Sequence, residues 1–210
     1  TINELDDQDA ITQQQMGGHV AYKTRSLNVG ATGVFSKIDA KFERTIQPYS
    51  QFRAQESEQA KVGLDYNWIY RNFNFFGEVS QSIDAGKAIT SGAIVMLDPK
   101  LSLAVLYRNF DRDFQPISSA AIGENSVNEN ERGLYTGIIA KMGKSFSLTA
   151  YYDQFSFGWL RYGVDAPSKG HQYITQLNYR PSRKLEMYVR IRQRLRDKST
   201  PIEVDDIDYL

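Results

Sequence analysis

Between Val62 and Ile191 the sequence repeatedly alternates apolar and polar residues, in segments of about ten residues that reverse at tight turns. Val62, Leu64, Tyr66, Trp68 and Tyr70 share one parity, while Gly63, Asp65 and Asn67 take the other. A period of two belongs to a β-strand whose faces see different surroundings. After Arg71-Asn72 the pattern resumes, with Phe73, Phe75, Gly77 and Val79 on one face and Asn74, Glu78, Ser80 and Ser82 on the other. Two such runs separated by two residues read as a hairpin.

Three more hairpins follow. Ile89, Ala93, Val95 and Leu97 turn at Asp98-Pro99-Lys100 into Leu101, Leu103, Val105 and Tyr107. Leu134, Thr136, Ile138 and Ala140 lead through Met142-Gly143-Lys144 to Phe146, Leu148, Ala150 and Tyr152. Tyr173, Thr175, Leu177 and Tyr179 precede Pro181-Ser182-Arg183, and Leu185, Met187, Val189 and Ile191 return. Upstream, residues 18–27 and 31–42 form a first hairpin, with its turn expected near Asn28-Val29-Gly30. The result is ten strands of about 9 to 12 residues, close to the ~9 to 11 that a tilted strand needs to cross a bilayer.

Connection lengths alternate as well. Short turns near 28–30, 71–72, 98–100, 143–144 and 181–184 are interleaved with connections at about 43–60, 84–86, 111–132 and 158–170, three of them long. Long unstructured loops are uncommon in compact soluble domains, whereas outer-membrane barrels place short turns on the periplasmic side and longer loops outside. By this parity the first strand begins at the long-loop side and the last, ending near Arg194, finishes at the same side. Further strands of a larger barrel are therefore expected on both flanks, and the opening Thr1, without an initiator Met, suits a processed or cut chain.

Composition narrows the function classes. The 210 residues carry 25 basic and 25 acidic groups, a balance that argues against general nucleic-acid binding. There is no Cys, which excludes disulfides, thiolate metal sites and a cysteine nucleophile. Two His argue against zinc chemistry, and no apolar run approaches the roughly 18 to 20 residues of a spanning helix. A transmembrane β-barrel passes this test, because its strands average lipid-facing and lumen-facing residues.

The expected fold is therefore all-β, an antiparallel up-and-down transmembrane β-barrel. It forms one segment over 1–210, with strands over about 18–195 and polar acidic ends at 1–17 and 196–210. The competing fold is a soluble or surface-exposed β-domain that binds glycans through its aromatic residues. Against it stand the strand lengths and a polar face rich in small uncharged residues: Asn67, Asn74, Ser80, Ser82, Ser102, Ser147 and Thr149.

Several groups are candidates for function. Tyr66, Trp68, Tyr70, Phe73, Phe75, Tyr152, Phe157 and Trp159 lie toward strand ends and are expected to form aromatic girdles at the membrane interfaces, with sugar stacking as the alternative. Arg190, Arg192 and Arg194 share the parity opposite Met187 and Val189. They should face the lumen and favour anions, or touch lipopolysaccharide phosphates at the rim, unless they pair with carboxylates such as Asp65, Glu78 and Asp153. The acidic ends (Glu4, Asp6, Asp7 and Asp9; Glu203, Asp205, Asp206 and Asp208) lack EF-hand spacing and read as solvated. Loop 111–132, with Asn125, Asn128, Glu129, Asn130 and Glu131, reads as exposed and available to a partner.

For hydrolysis, His19, Ser168 and His171 could reach the rim, but no nucleophile elbow, Walker loop or dinucleotide fingerprint is present. The reading is non-enzymatic, with no cofactor and no metal. The expected partners are outer-membrane lipid and lipopolysaccharide and other envelope proteins, with no nucleic acid bound by this segment.

Phe76-Gly77-Glu78, Tyr107-Arg108-Asn109-Phe110, the run Asn128 to Tyr135, the run Tyr152 to Val164, Pro167-Ser168-Lys169-Gly170 and Arg190-Ile191-Arg192 together give a resemblance. Over about residues 60–195 the chain resembles the C-terminal barrel region of Bacteroidota outer-membrane proteins that carry helix-hairpin-helix repeats ahead of the barrel. The resemblance implies a Gram-negative outer membrane and a longer parent chain with a periplasmic N-terminal portion. It implies no substrate and no catalytic residues. On this reading the protein is a pore, a translocation component or a scaffold of an envelope assembly.

Overall fold

The structure, a computed structural model, describes residues 12–39, 46–53, 57–116 and 120–199. The strands are β1 (Thr12–Lys23), β2 (Leu27–Asp39), β3 (Glu58–Tyr70), β4 (Phe73–Ser82), β5 (Lys87–Asp98), β6 (Leu101–Phe110), β7 (Glu131–Met142), β8 (Phe146–Phe157), β9 (Ser168–Ser182) and β10 (Leu185–Arg196). All ten join one antiparallel sheet in sequence order, with β1 and β10 as its edges. The helical element among the described residues is a single 3-10 turn at Pro48–Ser50.

Register sorts the side chains onto two faces. Leu101 pairs with Ala140, Ala140 with Leu148, Leu148 with Leu177 and Leu177 with Val189, so one face carries an apolar row across five strands. One residue along, Ser102, Ile139, Thr149, Gln176 and Arg190 form the corresponding row on the other face. A slip of one residue would exchange these rows, which is why the alternation specifies register so strongly. The sheet curls around its polar side. Gln15, Thr32, Glu78, Thr90 and Leu106, from five different strands, line one cavity of about 550 Å³ on this concave face.

The first hairpin differs from the sequence expectation. Its turn lies at Thr24–Ser26 and not at Asn28-Val29-Gly30, fixed by Thr24 N donating to Leu27 O at 2.7 Å and Leu27 N donating to Thr24 Oγ1 at 3.0 Å. Gly30 is a strand residue opposite Asp65. A Cβ there would collide with the Asp65 carboxylate and the His19 ring, so the glycine serves a close approach and not a turn. β1 also begins at Thr12, earlier than expected, while both acidic ends fall largely outside the described residues.

Loop 111–130 departs further. Of its described residues, 111–116 and 120–130, several such as Ile122 and Val127 remain exposed, but Phe114 turns back onto the concave face and joins Ala88 and Phe110 in a buried cluster with Ala121 against it. Asn128 and Glu131, expected to be exposed, are each only 2% accessible. Phe114 and Ala121 bury apolar surface against the strand wall, and this offsets the entropy of ordering the loop.

Candidate functional site

The inward fold of the loop depends on one cation. Arg108 lies on β6 at a concave-facing position and is fully buried. Its Nε donates to Glu131 Oε1 at 2.6 Å, while Nη1 and Nη2 donate to the two Asp153 carboxylate oxygens at 2.8 and 3.0 Å. The planar fork of arginine suits this bidentate pairing, and lysine could not reproduce it. Glu131 also accepts backbone N–H groups of Glu124, at 2.9 and 3.0 Å, and of Asn125, at 3.1 Å. One buried carboxylate, one partly buried carboxylate and one guanidinium thus tie β6 and β8 to the loop.

Side-chain amides hold the rest of the loop layer. Asn128 clasps Ala121, accepting from its N–H at 3.1 Å and donating to its carbonyl at 2.9 Å. Asn130, in the left-handed region at φ 53, does the same to Trp159 at 2.8 and 3.0 Å. Trp159 Nε1 in turn donates to Pro48 O at 2.9 Å, and Phe52 packs edge-on against the indole at 5.2 Å. Arg53 reaches Glu129 at 2.6 Å. Connections 46–53, 111–130 and 158–167 are therefore knit together over one end of the concave face.

The expected girdle residues divide into two groups. Tyr66, Trp68, Tyr70, Phe73 and Phe75 all project from the convex face beside the β3–β4 turn, with Trp68 stacked on Phe75 at 5.3 Å and Phe73 on Phe75 at 5.6 Å. Tyr152 also lies on the convex face, 5.7 Å from the His171 ring. Phe157 and Trp159 do not fit a girdle. Phe157 points to the concave side, 1% accessible beneath the Arg161 guanidinium, because β8 reaches the loop layer before it ends. Trp159 belongs to the loop layer just described.

Arg190, Arg192 and Arg194 occupy the concave face of β10. Arg190 Nε donates to Gln176 Oε1 at 2.6 Å, Arg192 Nη2 to Gln172 Oε1 at 2.9 Å, and Arg194 pairs with Glu124 from the loop. Their partners are not the carboxylates expected from sequence: Asp153 is taken by Arg108.

The hydrolytic candidates are not assembled. His19 bonds Thr32 Oγ1 at 2.8 Å, Ser168 is buried on the concave side, and His171 faces the convex side. Among the described residues no group of three His, Cys, Asp or Glu is placed to hold a metal ion. Arg108 itself escaped the sequence reading. Its signal was a cation at an inward parity, opposite Gly133, with acids on the two following strands.

A meander of long strands, apolar on its convex face, polar on its concave face and partly covered by an infolded loop, has the fold of an outer-membrane β-barrel wall. Solved structures agree with this class. The outer membrane protein OprD from Pseudomonas aeruginosa superposes with a TM-score of 0.55 at 14% identity, over 88% of this chain and 54% of that chain. The FrpB iron transporter from Neisseria meningitidis gives 0.53 at 12% identity, over 90% of this chain and 36% of that one. OccK5 (OpdH) from Pseudomonas aeruginosa gives 0.50 at 10% identity, over 88% and 53%. The chain thus spans about half of OprD and OccK5 and about a third of FrpB, and the likeness is one of fold. Comparison with protein-family models gave no match, and neither did comparison with curated proteins.

Proposed function

We propose that this chain forms part of the wall of a bacterial outer-membrane barrel that works, without enzymatic chemistry, as a pore or translocation component, its passage narrowed by loop 111–130. The observation that carries the reading is the distribution of polarity across β3 and β4. Leu64 and Val79 lie on the convex face, while Gly63, Glu78 and Ser80 line the concave cavity. Apolar outside and polar inside suits lipid around the barrel and water within it, the reverse of a soluble barrel.

On this reading the convex face meets outer-membrane lipid and lipopolysaccharide. Further strands of a longer parent, of the Bacteroidota helix-hairpin-helix type that the sequence resembles, adjoin the open edges β1 and β10. Other envelope proteins meet the long connections. The test is conductance of the purified full-length protein in planar bilayers, with folding checked by its heat-dependent mobility on SDS gels. Discrete conductance steps are expected. Folded protein that never conducts would remove the open-pore reading.

A further inference from the structure

The layer of long connections forms a second, half-open cavity of about 470 Å³, between residues 49–53, Arg112, residues 125–130 and 159–162 and Arg196 at the end of β10. Its lining carries four guanidinium groups, Arg53, Arg112, Arg161 and Arg196, against one carboxylate, Glu129. Two of the four are matched. Arg53 pairs with Glu129 at 2.6 Å, and Arg196 Nη1 lies 3.3 Å from Glu124, which Arg194 also engages.

Arg112 and Arg161 reach no carboxylate within ion-pairing distance among the described residues. Both are held by ring faces instead. Arg112 lies 4.3 Å over Phe52 and 5.3 Å over Trp159, and Arg161 lies 3.8 Å over Phe157. Stacking on a ring fixes the plane of a guanidinium but satisfies none of its N–H donors, which leaves the fork free for an acceptor. Arg161 Nε is buried without a hydrogen-bond partner. Burial, and after it the neighbouring Arg196, holds the Arg161 side chain below its ordinary pKa, against the opposing pull of Glu124, Glu131 and Asp197.

We propose that the cavity binds a small organic dianion, with Arg112 and Arg161 as its charged contacts and Tyr49, Trp159 and Tyr162 around its body. Two unmatched positive charges call for a charge of about −2, and the volume falls in the usual range of ~300 to 1,000 Å³ for small-molecule sites. Phosphate monoesters and dicarboxylates both present this chemistry. The site would form whether or not the barrel conducts.

Titration calorimetry on the detergent-purified full-length protein tests it, with glucose 6-phosphate, succinate and neutral glucose as probes. Saturable binding of at least one dianion and none of glucose is expected, and the dianion that binds identifies the class. Arg112→Gln with Arg161→Gln should weaken binding by about 100-fold, since each lost charge-assisted contact costs roughly tenfold or more. Arg132→Gln, outside this cavity, should leave binding as it was. If the glutamine pair fails the heat-mobility check, Arg112→Lys with Arg161→Lys replaces it, and loss of the forks alone should weaken binding about tenfold. No saturable binding of either dianion, or equal binding by wild type and a folded double variant, would overturn the proposal. A conductance failure leaves this readout untouched, so the two ideas fail separately.

Discussion

The Arg108 guanidinium lies across Gly133, the residue it faces in the β6–β7 ladder, and so reaches Asp153 on β8. A Cβ at Gly133 would occupy the space of the guanidinium carbon. Gly133→Val should therefore unseat Arg108 and leave the buried Glu131 and the partly buried Asp153 without their cation. The loss should approach that of Arg108→Ala, about 3 to 5 kcal/mol for a broken buried pair. Urea unfolding midpoints of the folded barrel in detergent measure both. A Gly133→Val variant as stable as wild type would show that the guanidinium can find another route.

Asn130 combines a left-handed backbone with both hydrogen bonds to Trp159. Asn130→Gly keeps the backbone conformation and loses the bonds, whereas Asn130→Ala loses both. Alanine should be worse by about 1 to 2 kcal/mol, the cost of a left-handed residue bearing a Cβ. Limited proteolysis of loop 111–130 reads the difference, with cleavage fastest in the alanine variant.

The two faces of β6 should respond oppositely to charge. Leu103 lies on the convex face and Ser102 on the concave one. Leu103→Arg, only three residues beyond the Asp98-Pro99-Lys100 turn, should cost up to about 1 kcal/mol, and Ser102→Arg less. Folding yield into lipid vesicles, read from heat-dependent gel mobility, separates them.

Loop 111–130 should act as a constriction. Asn128→Ala frees the clasp on Ala121, so the loop should leave the concave face more often and single-channel conductance should rise. Unchanged conductance in a folded variant would mean that the loop does not lie in the conducting path.

The strands were legible in the sequence because each buries neither face in a common core, so every second residue reports its surroundings. The β1–β2 turn was not, since Gly17, Gly18, Gly30 and Gly33 carry no side chain to mark a parity. Phe157 showed the right residue type in the right strand, but its parity points inward, and only the register with Ser168 shows that loops cover it. The infolding of 111–130 has no period to read. It rests on Phe114, Asn128 and Glu131 meeting residues of other elements, above all Arg108, and contacts of that kind emerge only when the strands are placed side by side.

The most direct measurement of the central claim uses the absence of cysteine from the chain. Single cysteines at Leu148 and Thr149, adjacent in β8 but on opposite faces, would be tested in folded protein in lipid vesicles. A water-soluble thiol reagent should label Thr149→Cys and spare Leu148→Cys, and a fluorophore at Leu148→Cys should be the one quenched by nitroxide-bearing lipid. Equal labelling of the two positions, or quenching at position 149 instead, would contradict a wall with lipid on its convex face and water on its concave face.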